Sequence, residues 1–159
     1  MSKSTHIDKP AEELSELLSS FEACITYVPL RTEVPFEEAT AVPASLIRYE
    51  IAPRASLNPQ SEALRAIEVC NGKRTVILLP GRMFDIHGTR HGQGGGWYDR
   101  FLSYVPPTWL RIGFCFTDQL STTLLMRHPW DEPMDVVCVC ERNTNRLVAL
   151  YKNDRVSVA

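Results

Sequence analysis

The chain has 159 residues, 44% hydrophobic and 23% charged, a balance that fits one ordinary globular domain and excludes a collagen-like, disordered or membrane-spanning chain. Its net charge is -2, from 17 Lys and Arg against 19 Asp and Glu, so no whole-molecule field draws it to nucleic acid or to anionic lipid. That sum conceals an asymmetry: residues 1–50 carry four basic and nine acidic groups, residues 71–100 five basic and two acidic, and six of the eight glycines fall between Gly81 and Gly96.

Residues 1–9 read as a polar tail, followed by a single α/β domain over 10–159. Pro10 suits the start of a helix, and Leu14, Leu17, Leu18 and Phe21 repeat at helical spacing. Residues 23–29 read as a strand. Five prolines then punctuate the chain from Pro29 to Pro59, leaving one edge-like strand around Ile47, Tyr49 and Ile51. Asn58 followed by Pro59 starts a helix whose buried stripe is expected at Leu64, Ile67 and Cys70, with Asn71-Gly72 as its left-handed stop. The unalternating run Val76 to Leu79 suits a strand buried on both faces of a parallel sheet. After a glycine-rich loop comes a helix from about Gly96 to Tyr104, ended by Pro106-Pro107. A strand (Leu110, Ile112, Phe114, Phe116), a helix opened by Thr117 or Asp118 (Leu120, Leu124, Leu125) and a strand (Val136, Val137, Val139) follow. Two successive β-α-β crossovers predict a parallel α/β sheet, and ERNTNRLVALYK reads as a turn into an antiparallel edge strand.

Cys24, Cys70, Cys115, Cys138 and Cys140 are an odd number, unclustered and set in apolar runs. They read as small core hydrophobes rather than disulfide partners or zinc ligands, which fits a reducing compartment. The N-terminus shows no cationic-then-apolar signal, so a cytoplasmic location is expected.

Function is expected in the segment from Pro80 to Arg100, PGRMFDIHGTRHGQGGGWYDR, between a buried strand and a helix. Glycines there let backbone N–H groups approach an anion, and the helix start adds its positive end; a phosphate chain suits such a cradle. No Gly-Lys-Ser/Thr follows the glycines, and Trp97 stands where G-x-G-x-x-G needs its last glycine. Asp99 falls in the helix's first turn, where a carboxylate either answers the dipole or holds Mg²⁺ beside phosphate oxygens. Asp131, in HPWDEPMD, is either a second such carboxylate or a solvated loop acid. Met83, Phe84, Trp97 and Tyr98 form either a wall against a flat heterocycle or core packing. The histidines (His6, His87, His91, His128) lack metal spacing, and no nucleophile pair or G-x-S-x-G is present.

These residues resemble the signature of the 5-formyltetrahydrofolate cyclo-ligases (5,10-methenyltetrahydrofolate synthetases), at Pro80, Gly81, Phe84, Asp85, Gly88, Arg90, Gly92, Gly94, Gly95, Gly96, Tyr98, Asp99 and Arg100. The likeness continues through IGFCFTDQL and WDEPMDVVCVCE. It divides the domain into an N-terminal part (10–72), a cyclo-ligase-like core (73–141) and a C-terminal edge strand (142–159). The resemblance implies a three-layer α/β sandwich with a mostly parallel sheet, of the kind shared with ribose-phosphate isomerases and CoA transferases. It also implies a monomeric or homodimeric enzyme that uses ATP and Mg²⁺ to convert 5-formyltetrahydrofolate, a reduced folate, into 5,10-methenyltetrahydrofolate with release of ADP and phosphate. Arg90, His91, Gly92, Gln93, Gly94, Gly95, Gly96, Trp97 and Tyr98 would hold the nucleotide, Gln93 to Trp97 would also border the folate, Asp99 and Asp131 would be the magnesium carboxylates, and Arg90, Tyr98 and Asp99 the catalytic set. A basic N-terminal helix that helps grip ATP is implied as well; here PAEELSELLSSFEA has no Lys or Arg. IAPR (Ile51 to Arg54) stands where the family has a Glu-Pro substrate motif. The competing expectation is a non-catalytic paralogue that binds nucleotide or folate through the same loop.

Overall fold

The computed structural model describes residues 9–51, 58–92 and 96–153. In chain order they form α1 (Lys9–Ser19), β1 (Ala23–Tyr27), α2 (Phe36–Ala39), β2 (Ile47–Ile51), α3 (Pro59–Val69), β3 (Thr75–Leu79), β4 (Met83–Phe84), β5 (Arg90–His91), α4 (Trp97–Tyr104), β6 (Leu110–Phe116), β7 (Val136–Cys140) and β8 (Leu147–Lys152). Six strands make one sheet in the order β2-β1-β3-β6-β7-β8, and β4 and β5 form a separate short hairpin. All pairings within the large sheet are parallel except β7 with β8. Every residue of β1, β3 and β7 is buried, as a strand covered on both faces requires. β2 is the exposed edge, and β8 closes the other edge after a turn in which Asn145 takes a left-handed φ of 57°.

The covering helices make the three layers. On one face α3 and α4 bring Ala63, Ala66, Phe101 and Leu102 onto Ile25, Ile77 and Val137. On the other, Leu14 and Leu18 of α1 and Phe36 of α2 meet Cys24, Val76, Phe114 and Cys138. All five cysteines are buried and free, and burial pushes the thiols of Cys24, Cys115 and Cys140 up to about 12. They are packing groups, as expected. Among the described residues no helix is long and apolar enough to cross a membrane.

Two expectations are corrected. The buried stripe of α3 is Ala63, Ala66 and Cys70 with Glu62, while Leu64 is 58% exposed. Small residues let α3 sit close to the sheet, and Glu62 tolerates burial because it accepts a hydrogen bond from the Tyr49 hydroxyl of β2 and lies 3.8 Å from Arg65. Ile67 does pack against that core. The helix expected after Thr117 is a single 3-10 turn, Thr117–Gln119. Beyond it other partners take the backbone N–H groups: Ser121 donates to the Phe84 carbonyl, Thr123 to the Ser121 hydroxyl and Leu125 to the Asp85 carboxylate. Ser and Thr compete with helical bonding in this way. Leu124 is left 71% exposed, so the β6-to-β7 crossover is an ordered loop.

From β1 the chain moves outward to β2, then returns past β1 to β3 on its other side, so the strand order reverses between β1 and β3. The carboxyl ends of strands at such a reversal are where open α/β sheets bind ligands. The glycine-rich segment leaves β3 at that edge, beginning at Pro80.

Candidate functional site around the glycine loop

The loop begins with a packing constraint. Phe84 is fully buried between Gly81 and Gly113: a Cβ on Gly113 would lie 2.2 Å from its ring, and one on Gly81 2.7 Å. The next residue, Asp85, joins two loops. Its Oδ1 accepts from the N–H groups of His87 and Thr89 at 2.9 and 3.0 Å, and its Oδ2 from Leu125 N–H at 2.9 Å. Arg127 adds bonds from Nε and Nη2 to the Thr89 hydroxyl and from Nη2 to the His87 carbonyl. The sequence named Asp85 as a motif position without a role; its partner Leu125, 40 residues on, has no local signal.

Arg90 is buried at the loop's far end. Its Nε donates to the Pro80 carbonyl at 2.5 Å, and its guanidinium carbon lies 4.9 Å from the Tyr98 ring centroid. A Cβ on Gly92 would sit 3.1 and 3.2 Å from the two terminal nitrogens, so glycine there lets the loop backbone run close beside the cation. His91 Nε2 donates to the Met126 carbonyl at 2.9 Å, tying the loop to the segment that follows β6. Gln93, Gly94 and Gly95 lie outside the described residues. Gly96, with a left-handed φ of 62°, caps α4.

Asp99 is in the first turn of α4, as expected, and is half-buried. Its Oδ1 accepts from Glu132 N–H at 3.1 Å. Burial raises its pKa above 3.8; the Glu132 hydrogen bond and the Arg90 charge oppose that rise, while Asp131 and Glu132 add to it. The two carboxylates singled out in the sequence, Asp99 and Asp131, are thus electrostatic neighbours. Asp131 caps its own turn, accepting from His128 N–H at 2.7 Å and donating its N–H to the His128 carbonyl at 3.0 Å. Glu132 accepts from Nη1 of the buried Arg111 at 3.0 Å. Sequence reasoning missed this cation, because Arg111 sits in an otherwise apolar strand outside the glycine-rich segment.

Of the two readings of the aromatic residues, core packing is the one the structure favours. Phe84 and Tyr98 are buried, Tyr98 lying beneath Arg90, while Trp97 stacks on Phe101 with centroids 5.5 Å apart. Only Met83, 39% exposed, faces outward freely. Among the described residues no three His, Cys, Asp or Glu side chains gather as a metal-holding group. The donor set suits a hard cation that brings its other ligands with it. Asp99 and Asp131 each commit one oxygen to a backbone N–H, and Mg²⁺ beside phosphates needs only one or two carboxylates.

Sheet and loop together define an α/β protein with a strand-loop-helix segment at the carboxyl edge of its sheet. Residues 46–140 match the model of the 5-formyltetrahydrofolate cyclo-ligase family, well over half of the chain, and the protein belongs to that family. The likeness read from the glycine loop is borne out. A 5,10-methenyltetrahydrofolate synthetase from Mycoplasma pneumoniae has a similar structure, with a TM-score of 0.53 at 20% identity over 86% of this chain and 88% of that one. That likeness shows the α/β fold expected from the sequence. No curated protein is a significant match to the chain.

Proposed function

We propose that the protein is an ATP- and Mg²⁺-dependent ligase that closes 5-formyltetrahydrofolate to 5,10-methenyltetrahydrofolate. The observation that carries this reading is the juxtaposition of Arg90, the start of α4 and Asp99 around the loop leaving β3, in a chain of this family. A formamide oxygen is a poor leaving group. Transfer of the γ-phosphoryl group from ATP to that oxygen releases ADP and makes the formyl carbon electrophilic. N10 then attacks the carbon and gives up its proton to solvent, and the C–O bond breaks as inorganic phosphate departs with the oxygen. Such a sequence asks for alignment and charge neutralisation rather than a protein nucleophile.

This chain's own groups divide the work. Arg90, fixed by Pro80 and stacked on Tyr98, presents a fixed guanidinium to phosphate oxygens. The resemblance implies that backbone N–H groups between His91 and Tyr98 would hold the same anion, aided by the positive end of α4. Tyr98 acts through Arg90 as its floor. Asp99 and Asp131 would hold Mg²⁺, which when bound neutralises charge on the phosphate chain. Gln93 to Trp97 would border the folate.

Mixing the protein with MgATP and 5-formyltetrahydrofolate should generate the methenyl chromophore, and Asp99→Asn should reduce its rate by at least about a hundredfold, the scale expected for loss of a charge-stabilising group. A folded wild-type sample that forms no product overturns the catalytic reading. Thermal stabilisation by ligand without product would then identify a binding paralogue, since a ligand at a hundred times its Kd adds about 2.7 kcal/mol.

A further inference from the structure

The burial of Phe84 and Tyr98 leaves open what faces the flat end of the ligand, and the loop after β6 supplies a candidate. Trp130 is 67% exposed and stacks face to face on His128, with ring centroids 4.6 Å apart and planes 7° from parallel. The two rings stand on the turn closed by the reciprocal His128–Asp131 bonds. That turn is pinned beside the glycine loop at both ends: the Met126 carbonyl accepts from His91 of β5, and Glu132 N–H donates to Asp99 of α4. Leu124 and Met126, each 71% exposed, lie on the same segment. Apolar surface is thus concentrated on one loop beside a cationic one. An indole held rigidly by a stacked imidazole, with most of its surface in water, is a preformed partner for another flat ring.

We propose that Trp130, backed by His128, is the stacking platform for the fused aminopyrimidine heterocycle of a ligand whose anionic end lies in the glycine loop. This rests on the reading of that loop as a polyphosphate cradle. Adenine and pterin share the required chemistry, a flat amino-substituted pyrimidine fused to a second ring, and the platform makes Trp130 a specificity-determining residue. Met126 beside it is unbranched and soft, able to adapt to either outline.

The test compares wild type, Trp130→Ala and Trp130→Phe by calorimetric titration with three probes: MgATP, magnesium tripolyphosphate and 5-formyltetrahydrofolate. Trp130 is on the surface, so melting temperatures should be alike. Trp130→Ala should weaken one heterocyclic ligand by roughly tenfold, the scale of a lost base-stacking partner, with Trp130→Phe recovering most of the loss and tripolyphosphate binding equally to all three. Loss confined to MgATP assigns the platform to adenine; loss confined to 5-formyltetrahydrofolate assigns it to the pterin. Unchanged affinities of Trp130→Ala for both heterocycles overturn the platform while leaving the cradle intact. A wild-type protein that binds none of the three probes overturns the cradle reading, and the platform with it.

Discussion

Asp99 meets opposed demands, because burial disfavours its charge while the proposed chemistry uses it. A carboxyl whose folded pKa lies above its unfolded value favours folding only while protonated. That contribution is present below the unfolded pKa and is lost as pH rises through the folded one. At neutral pH the protein therefore carries Asp99 at a cost in stability that Asn does not share, and Asn can still accept from Glu132 N–H. Asp99→Asn should melt higher than wild type at neutral pH, and the gap should close as pH falls through the acid range in which Asp99 takes up its proton. Thermal melts of the two proteins across that range check this, and a variant that melts lower at neutral pH contradicts it. Arg90 shows the reverse economy, since its burial is compensated by the Pro80 carbonyl and the Tyr98 face. A lysine cannot donate through Nε while stacking its plane, so Arg90→Lys should weaken MgATP binding by roughly tenfold, measured by titration, despite the retained charge.

At the scale of elements, the legible parts were those in which burial leaves a one-dimensional trace. Val76 to Leu79 and Val136 to Cys140 are apolar without alternation because helices and loops cover both faces, and only an interior strand of a parallel sheet needs that. The segment from Thr117 to Leu125 reads as a helix because Leu120, Leu124 and Leu125 sit at helical spacing, whereas the N–H groups that a helix would use are taken by Phe84, Ser121 and Asp85, two of them distant in sequence. The same long-range effect placed Glu62 under Tyr49. Tyr49→Phe would leave that carboxylate buried without its hydroxyl partner, costing about 1–3 kcal/mol and loosening β2 from α3, as denaturant midpoints should show. Gly113 reads as an ordinary strand glycine until Phe84 is seen against it. Gly113→Ala should cost about 1–3 kcal/mol by overpacking and displace the start of the glycine loop, so that both the melting temperature and MgATP affinity fall.

Over the whole molecule, the charge asymmetry visible in the sequence acquires a geometry that changes its meaning. The family resemblance implies a basic first helix that helps hold ATP, whereas α1 is acidic, and on that reasoning its charge should oppose the anion in the glycine loop. α1 instead lies along the opposite edge of the sheet. Glu13 lies 3.6 Å from Lys152, whose register partner Val136 begins β7, and Glu22, just past the helix, bonds Arg74 immediately before β3. The glycine loop leaves the other end of β3. That strand has five residues, so the two edges are separated by roughly 13–17 Å at about 3.3 Å per residue. Exposed charges are screened over about 8 Å at physiological ionic strength. The acidity of α1 is therefore nearly silent at the site, where the nearby charges are Arg90, the start of α4 and the carboxylates Asp99, Asp131 and Glu132. Reversing the exposed pair with Glu12→Lys and Glu16→Lys should change the Kd for MgATP by less than about twofold at physiological salt, the difference growing only as salt is lowered and the screening length rises. A several-fold gain in affinity at physiological salt would mean that α1 does act on the nucleotide and that its acidic face restrains binding.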